Sequence, residues 1–550
     1  MKKILGMAII AFSAAQIAQA QETYLNDRAT NTSDVIGTAQ YVGMGGAMGA
    51  LGGNISVISN NPAGIGIIRN GNLSFTLGGQ IQDSEPAYGD SRGTFTFDQI
   101  GAVFSLGADD DGRLNFAFNY QKKANFNHSM YATQPLKGLA QGDLFSWVAG
   151  DKERFGSNDN FLGFSNPVFN AFEQRGVFEL SPNRAADGSS YYRSPIAGET
   201  GRFYRNTSGW LNGFDFNVSG SVEDRYFFGL TVGLDRLNYK SSSSYEQIAD
   251  VPEGSYILYQ DQNLKGTGFN VKVGTIIRPV EDSPLRFGIT VETPTWFSLK
   301  HTSWGYLAAV GDDGRYERAY PMDDYYNMYS GQSNDSYDRD NYLEYNLYTP
   351  WKFRASVGSS VEDFLVWDVE YEYSMNNFTK MGYPDNDDFN GFYGRDFNIS
   401  MTKDKYMNEM TKRNVRGVHN IRAGFEVKPI RQFAIRAGYN FYSKVFKDDA
   451  RLDQTCQSSA INYLINTDYI NLGAAHLITL GLGYQGKHFF ADVAYKYRYQ
   501  RGDYYSFDDN FTSYNSYFIA ENPNLKDVQL SPTEVNFDRH NIAVTLGCKF

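Results

Sequence analysis

The chain has only two cysteines in 550 residues, Cys456 and Cys548, so no disulfide framework holds it together. Its six histidines, His128, His301, His419, His476, His488 and His540, form no close pair with one another or with cysteine. That pattern argues against a metal or haem centre and implies no cofactor. No serine and histidine stand in a constellation suited to nucleophilic catalysis, so the chain does not read as an enzyme. Positive charge is scarce as well: 50 Lys and Arg face 62 Asp and Glu, a net charge of −12, which excludes nucleic acid as a natural partner. A linker that would divide the chain into domains is missing. After the first twenty residues no stretch reaches the roughly 18 uninterrupted apolar residues of a membrane helix. Two classes survive, a soluble exported protein and a transmembrane barrel.

What is present decides between them. Lys2 and Lys3 precede an apolar run from Ile4 to Ile17 and an Ala18-Gln19-Ala20 cleavage site. Residues 1–20 therefore read as a secretory signal peptide whose removal takes the net charge from −12 to −14. Forty Tyr and forty Phe raise aromatics to 16%, yet mean hydropathy is −0.46, so apolar residues must be interleaved with polar ones. From Asn72 onward that interleaving has period two, the mark of strands with one apolar face. Leu73, Phe75 and Leu77 begin it. Phe95 and Phe97, with Val103 assigned to the same face, and Leu114, Phe116, Phe118 and Tyr120 follow.

Eleven further alternating segments follow at 214–218, 228–234, 269–273, 285–291, 351–357, 365–373, 421–427, 433–441, 478–484, 489–499 and 542–550. Charged residues such as Arg286, Glu292, Asp368 and Glu370 recur on the opposite face, as a polar lumen requires. A secreted β-sandwich would have to hide every aromatic face between two sheets. The expected fold is all-β, a transmembrane antiparallel β-barrel of about fourteen strands. Tight turns, such as the one at 109–111, alternate with long connections. One of about two dozen residues follows the segment 228–234, and the longest insertion spans about 126–211. The turns are assigned to the periplasm and the loops to the outside, and Cys456 and Cys548 fall near opposite ends of the barrel.

Before the first strand lies GMGGAMGALGGNISVISNNPAGIGIIRN, residues 43–70. Each interior glycine costs about 1 kcal/mol in a helix relative to alanine, so irregular, tightly packed backbone is expected there. Asn60, Asn61 and Pro62 signal a turn. Such backbone is tolerated at membrane depth only inside protein, which a barrel lumen supplies. Residues 21–71 are thus read as a hatch in the lumen, and 72–550 as the barrel. In the insertion, Leu139, Leu144, Phe145, Trp147 and Val148 suggest a short apolar helix. Asn166-Pro167 suggests a helix start, followed by Phe169 and Phe172. The apolar residues of this region form either a ligand groove or the loop's own small core. The acidic run Asp385, Asp387, Asp388 and Asn390 reads as a solvated tip, since it lacks the full spacing of a calcium loop. No metal site is assigned.

The glycine-rich segment, the Asn61-Pro62-Ala63 step directly after it, the strand count and the terminal Phe550 together resemble the FadL/TodX family of long-chain fatty-acid transporters. ETPT at 292–295 and YTPWKFRASVG at 348–358 are similar to strand segments of that family. The resemblance implies passive passage of a hydrophobic compound, such as a long-chain fatty acid, across the outer membrane of a Gram-negative bacterium. By that resemblance Gly43, Gly45, Gly46, Gly49, Gly52, Gly53, Asn61, Pro62 and Ala63 form the hatch and its gate. Leu144, Phe145, Trp147, Val148, Phe169 and Phe172 would form an external capture site, and Phe550 an assembly signal. The family's third strand is kinked to open the wall sideways; here the alternation breaks at Lys122, Lys123 and Ala124 without a glycine. The expected partners are a hydrophobic small molecule or lipid, outer-membrane lipids with lipopolysaccharide, and the barrel-assembly machinery; a monomer is expected. The competing reading is a barrel of the same fold that docks as an accessory subunit in a protein secretion system and transports nothing.

Overall fold

In a strand whose side chains alternate faces, apolar outside and polar inside is stable only when the sheet closes and the outer face leaves water. The computed structural model describes residues 21–550 except 31–33, 83–92, 107–111, 151–175, 186–187, 189, 252–253, 282, 311–315, 320–340, 363, 385–400 and 453–466. It is a closed antiparallel barrel of 14 strands. The first five are β1 (Asn72–Gln82), β2 (Gly93–Leu106), β3 (Gly112–Asn125, resumed at His128–Pro135), β4 (Gly198–Val222) and β5 (Tyr226–Ala249). Next come β6 (Tyr256–Ile277), β7 (Arg286–Glu292, resumed at Trp296–Val310), β8 (Asn341–Tyr348, resumed at Lys352–Val361) and β9 (Leu365–Ser374). The last five are β10 (Val418–Ile430), β11 (Phe433–Tyr442), β12 (Tyr469–Gln485), β13 (Phe489–Tyr505) and β14 (Arg539–Lys549). β14 closes on β1 from Asn72↔Lys549 to Gln82↔Arg539.

The outer surface carries the apolar side of the alternation: Phe95 is 74% and Phe489 71% exposed, and Phe216, Leu230, Ile289, Phe425 and Leu482 are exposed with them. No helix among the described residues is long and apolar enough to cross a membrane. β7 and β8 are both interrupted at the level of Pro294 and Pro350, which have no amide to give the ladder. Threonines bridge the gap: Val271 N donates to Thr293 Oγ1 at 3.0 Å, and Thr295 N to Thr349 Oγ1 at 2.8 Å.

Three expectations need correction. Val103 faces inward and is fully buried, because pairing with β1 jumps from Thr76↔Gln99 to Leu77↔Phe97 and leaves Asp98 as an extra residue. Such a bulge reverses the phase, so Ile100 and Phe104 take the outer face instead. The loop expected after residue 234 is continuous ladder, with Leu234↔Phe269 running on to Gln247↔Tyr256. The insertion of 126–211 likewise contains paired strand, His128↔Thr207 through Pro135↔Thr200. In these upper stretches the alternation inverts: Leu237, Tyr239, Tyr245, Leu258 and Leu264 point inward and are buried, while Lys240, Asp261 and Lys265 are exposed. Strand rising past the apolar band meets water outside, so an outward-greasy pattern is no longer its signature.

The third correction concerns residues 43–70, which contain two 3-10 helices, Ile55–Ser59 and Pro62–Ile67. The first falls on a stretch without glycine and the second starts on a proline suited to a first helical position. Asn54 and Asn61 cap them, accepting from Ser56 N and Ala63 N. The tight turn at 109–111, Asn166, Pro167, Phe169 and Phe172, the acidic run at 385–390 and Cys456 lie outside the described residues.

Candidate functional site

The segment from Asp34 to Ile68 is buried along most of its length, so each of its polar backbone groups needs a partner. Inward-facing wall side chains supply many of them. Ala39 N donates to Thr545 Oγ1 at 2.7 Å, and Ala50 N and Leu51 N donate to Asp368 Oδ2 at 3.0 and 3.2 Å. Leu51 O accepts from Arg286 at 3.0 Å, Gly43 O from Thr479 at 3.1 Å, and Ile65 O from Asn115 at 2.6 Å. Asn61, extended at φ −134° as the residue before a proline should be, donates to Gly49 O at 2.8 Å and to Thr275 O on β6 at 3.2 Å. Pro62 O accepts from Asn217 at 3.3 Å, and Ala63 is buried against Phe227 and Ile276.

Two glycines show why the segment is so rich in them. Gly45 sits at φ +64°, and a Cβ there would lie 3.0 Å from Tyr439 N. At Gly49 a Cβ would lie 2.8 Å from Ser356 Oγ. Gly43 ends a short helix, Ala39–Gly43, and Gly46, Gly52 and Gly53 follow it in turns and irregular backbone, all three at positive φ. The wall answers with inward glycines of its own, Gly229, Gly274, Gly424, Gly438 and Gly481, each approached by segment atoms. These went unread in the sequence, although glycine at inward positions of otherwise regular strands signals a close backbone approach.

Arg286, Glu292, Asp368 and Glu370 all face this segment or the network beside it. Glu292 pairs with Arg354 at 2.6 Å, Arg354 and Arg422 pair with Glu372, and Arg422 pairs with Glu370. Asn60 joins the segment to that network by donating to Gly46 O at 3.0 Å and to Glu370 Oε1 at 3.4 Å. Buried ion pairs of this kind fix geometry more than they add stability.

Above the segment lies helix α1 (Gln21–Thr30). Its Leu25 and Ala29 pack into the inverted, apolar part of the wall with Leu264, Leu299, Tyr345, Leu347 and Met407, while Tyr24 stacks on Phe446 with ring centroids 4.4 Å apart. Two cavities of about 130 Å³ each flank α1. One is polar, bounded by Asp34, Lys123, Lys272, Glu292 and Arg354. The other combines Phe126, Met130, Val418, Ile470, Leu472 and Phe537 with four arginines, Arg28, Arg205, Arg498 and Arg539. Arg205 pairs with Asp468 at 2.5 Å, but its buried Nε and Nη1 find no hydrogen-bond partner among the described residues. Burial, with Arg205 nearby, pushes the Arg28 guanidinium below its ordinary value. Asp27 and Asp34 line the same cavity, so four guanidinium groups face two carboxylates there, a balance that suits a hydrophobic molecule carrying an acidic group.

The second cavity borders a break in the wall. β3 pairs with β2 only up to Gln121↔Gln99, and from there it follows β4 alone, with a register shift between Lys122 and Ala124. Beyond the shift β3 is tied to inward residues of β1: Gln80 donates to Asn127 O at 2.9 Å, and Ser129 N donates to Gln82 Oε1 at 2.8 Å. The turned-in Lys123 is held by Asp235 at 2.5 Å. The break that lacks a glycine in β3 has one opposite it, Gly209 on β4 at φ +110°.

Leu144, Phe145, Trp147 and Val148 lie on a second helix, α2 (Gln141–Gly150), as expected, and all four are buried. Leu144, Trp147 and Val148 pack against Phe507, Phe511, Phe518 and Leu530, and Phe145 joins a cluster with Phe178 and Phe203. Their surfaces are covered by the connection between β13 and β14. Phe550 is 65% exposed, and its amide donates to Gly71 O at 2.9 Å. No group of three or more His, Cys, Asp or Glu suited to a metal occurs among the described residues.

No known family description matches the sequence, and no curated protein does. Among solved structures, the chain is similar to a FadL homologue from Pseudomonas aeruginosa, at 11% identity and a TM-score of 0.50, covering 94% of this chain and 98% of that one. It is also similar to the toluene transporter TbuX of Ralstonia pickettii, at 12% identity and a TM-score of 0.46, covering 94% of this chain and 99% of that one. The first likeness establishes the fold.

Proposed function

We propose that this chain, which has the fold of the FadL homologue, is an outer-membrane barrel that lets a hydrophobic compound diffuse down its gradient. The observation that carries this reading is the inversion of the bore: apolar side chains line its upper part, above a polar floor where residues 34–68 are held. The exposed apolar band on the outside fits a lipid environment, and the tight-turn end, next to which the segment lies, is taken as periplasmic.

A cavity of about 130 Å³ is comparable to the roughly 150 Å³ apolar cavity that takes up benzene. The cavities as they stand therefore suit a small hydrophobic molecule. A long-chain fatty acid, gaining roughly 0.8 kcal/mol per buried CH2, would have to displace α1 from the apolar wall, after which the arginines could receive its carboxylate. The separation of β3 from β2 supports a sideways exit into the membrane, and Asn61, Pro62, Ala63 and the glycines would act as a hatch closing the periplasmic route. A docking role finds less support, because Leu144, Phe145, Trp147 and Val148 present no apolar face.

Proteoliposomes of the full chain, given an external hydrophobic fluorophore, provide the test. Faster uptake than in empty liposomes, saturable and needing no energy source, is expected. Uptake equal to that of empty liposomes, from protein shown to be inserted, would overturn the transport reading.

A further inference from the structure

His128 lines the second cavity and has no role in the passage described above. It is the first residue of the resumed β3, just past the break in the wall, and it is 6% exposed. The imidazole stacks on Phe537, with ring centroids 4.9 Å apart and planes 21° from parallel, so the ring's orientation is fixed. Its Nε2 is buried and finds no hydrogen-bond partner among the described residues. Native proteins keep few such atoms, because each one forfeits its hydration without return.

What Nε2 offers follows from the rest of the ring. Burial, with Arg539 nearby, holds the imidazole well below its ordinary value, so the ring is neutral and carries one N–H and one lone pair. The ring hydrogen-bonds to the backbone of Asn536, and a carbonyl there accepts only the N–H. Because Nε2 has no partner, that bond belongs to Nδ1 and the lone pair stays on Nε2. Beside this acceptor is a donor with capacity to spare. Arg539 gives one N–H to Asn125 O at 3.0 Å, but its Nε is buried without a partner. Arg498, opposite Arg539 in the ladder, donates to Gln500 Oε1 at 2.6 Å.

Three ligand chemistries answer this pair differently. A hydrocarbon leaves both groups bare. A carboxylate satisfies the guanidinium but turns its own lone pairs towards that of Nε2. A hydroxyl gives its proton to Nε2 and accepts from Arg539, which satisfies both. The cavity of about 130 Å³ has room for one ring, and Phe126 and Phe537 supply flat walls for it. We propose that this cavity binds small phenols, with His128 as the residue that selects the hydroxyl. The inference rests on the transport reading above and names its substrate class.

The test measures equilibrium binding of phenol, toluene and benzoate to the full chain in detergent, each relative to its own partition into empty micelles. Toluene has a methyl group where phenol has its hydroxyl. Phenol is expected to bind about tenfold more tightly than toluene on this scale, the equivalent of one hydrogen bond. His128→Phe keeps a ring against Phe537 and removes the acceptor. It should weaken phenol about tenfold and leave toluene and benzoate unchanged. All three weakened together would mark His128 as a structural residue and overturn the proposal. If the variant does not fold, the parent chain decides: equal binding of phenol and toluene overturns the phenol site. No binding of any of the three, by a chain that still speeds uptake of the hydrophobic fluorophore, overturns the site alone. The same result from an inserted chain that takes up no fluorophore overturns the transport reading with it.

Discussion

The Asp368 carboxylate on β9 accepts hydrogen bonds from two consecutive amides of the lumenal segment, Ala50 N at 3.0 Å and Leu51 N at 3.2 Å. A side chain fully buried in the wall thereby fixes the backbone of a piece that is otherwise held through glycine-rich turns. Each such bond contributes about 0.5–1.5 kcal/mol. Asp368→Ala should therefore raise the population of the released segment by about ten- to a hundredfold. Asp368→Asn, which keeps an acceptor oxygen, should do less. Hydrogen exchange at the amides of 50 and 51, together with ion current across planar bilayers, reads both effects. Unchanged exchange in Asp368→Ala would show that the rest of the segment's contacts suffice without it.

Trp147 and Asp143 make α2 a test of whether the external loops are a ligand groove or a packed cap. Trp147 is 4% exposed among Phe507, Phe511 and Phe518, so Trp147→Ser should cost about 3–5 kcal/mol of local stability, as large-to-small core changes do. Limited proteolysis should then cut the loops while the heat-resistant barrel survives. Burial pushes the Asp143 carboxyl well above its usual range, against the pull of its bond from Ala140 N at 2.8 Å. The folded loop therefore holds this proton more tightly than the unfolded loop does. Stability contributed at this site is present below the ordinary carboxyl range of about 4 and declines as pH rises through it. Asp143→Asn should remove that decline, and loop protection at pH 7 should exceed that of the parent protein. A loop equally protected at pH 4.5 and pH 7 in both proteins would contradict this assignment.

The barrel was legible because a lipid-facing wall writes its pattern directly into the chain: Phe228, Leu230, Val232 and Leu234 can alternate outward only if lipid covers them. The same rule failed where the covering changes. Leu237, Tyr239 and Tyr245 continue the strand with the opposite polarity, and a reading tuned to outward apolar residues took them for loop. Val103 failed for a different reason, since the bulge at Asp98 has no turn residue to announce it. In the bore, Asn61, Pro62 and the glycines were found by their local chemistry. Arg205 and α1 were not, because what matters about them is a residue across the lumen, hundreds of positions away. Leu25, for instance, meets Tyr345 and Met407.

Leu25 gives the clearest way to separate a fixed helix from a displaceable one. Its side chain is 1% exposed, and burying a leucine contributes about 1.5–3 kcal/mol. Leu25→Asp should expel α1 from the apolar wall and vacate the space lined by Leu264, Leu299 and Leu347. Binding of a hydrophobic fluorophore to the detergent-solubilised protein should tighten about tenfold or more, because the competing helix is gone. Binding that is unchanged, with α1 shown by proteolysis to be released, would place the hydrophobic site elsewhere.

The last prediction concerns the direction of exit. β3 leaves β2 after Gln121, and the register shift that lets it do so adds one residue between Lys122 and Ala124 relative to β4. Removing the extra residue of a bulge restores regular pairing, with the side chains beyond it kept on the faces of their β4 partners. Deletion of Lys123 should therefore draw the upper half of β3 back towards β2, at the cost of its ion pair with Asp235. If solute leaves sideways through this break, uptake of the hydrophobic fluorophore should fall to the level of empty liposomes while the barrel keeps its heat resistance. If solute leaves past the segment at the floor, the same deletion should leave uptake intact, and Asp368→Ala should raise it. The two variants together assign the route, because the deletion acts on the sideways path and Asp368→Ala on the path at the floor.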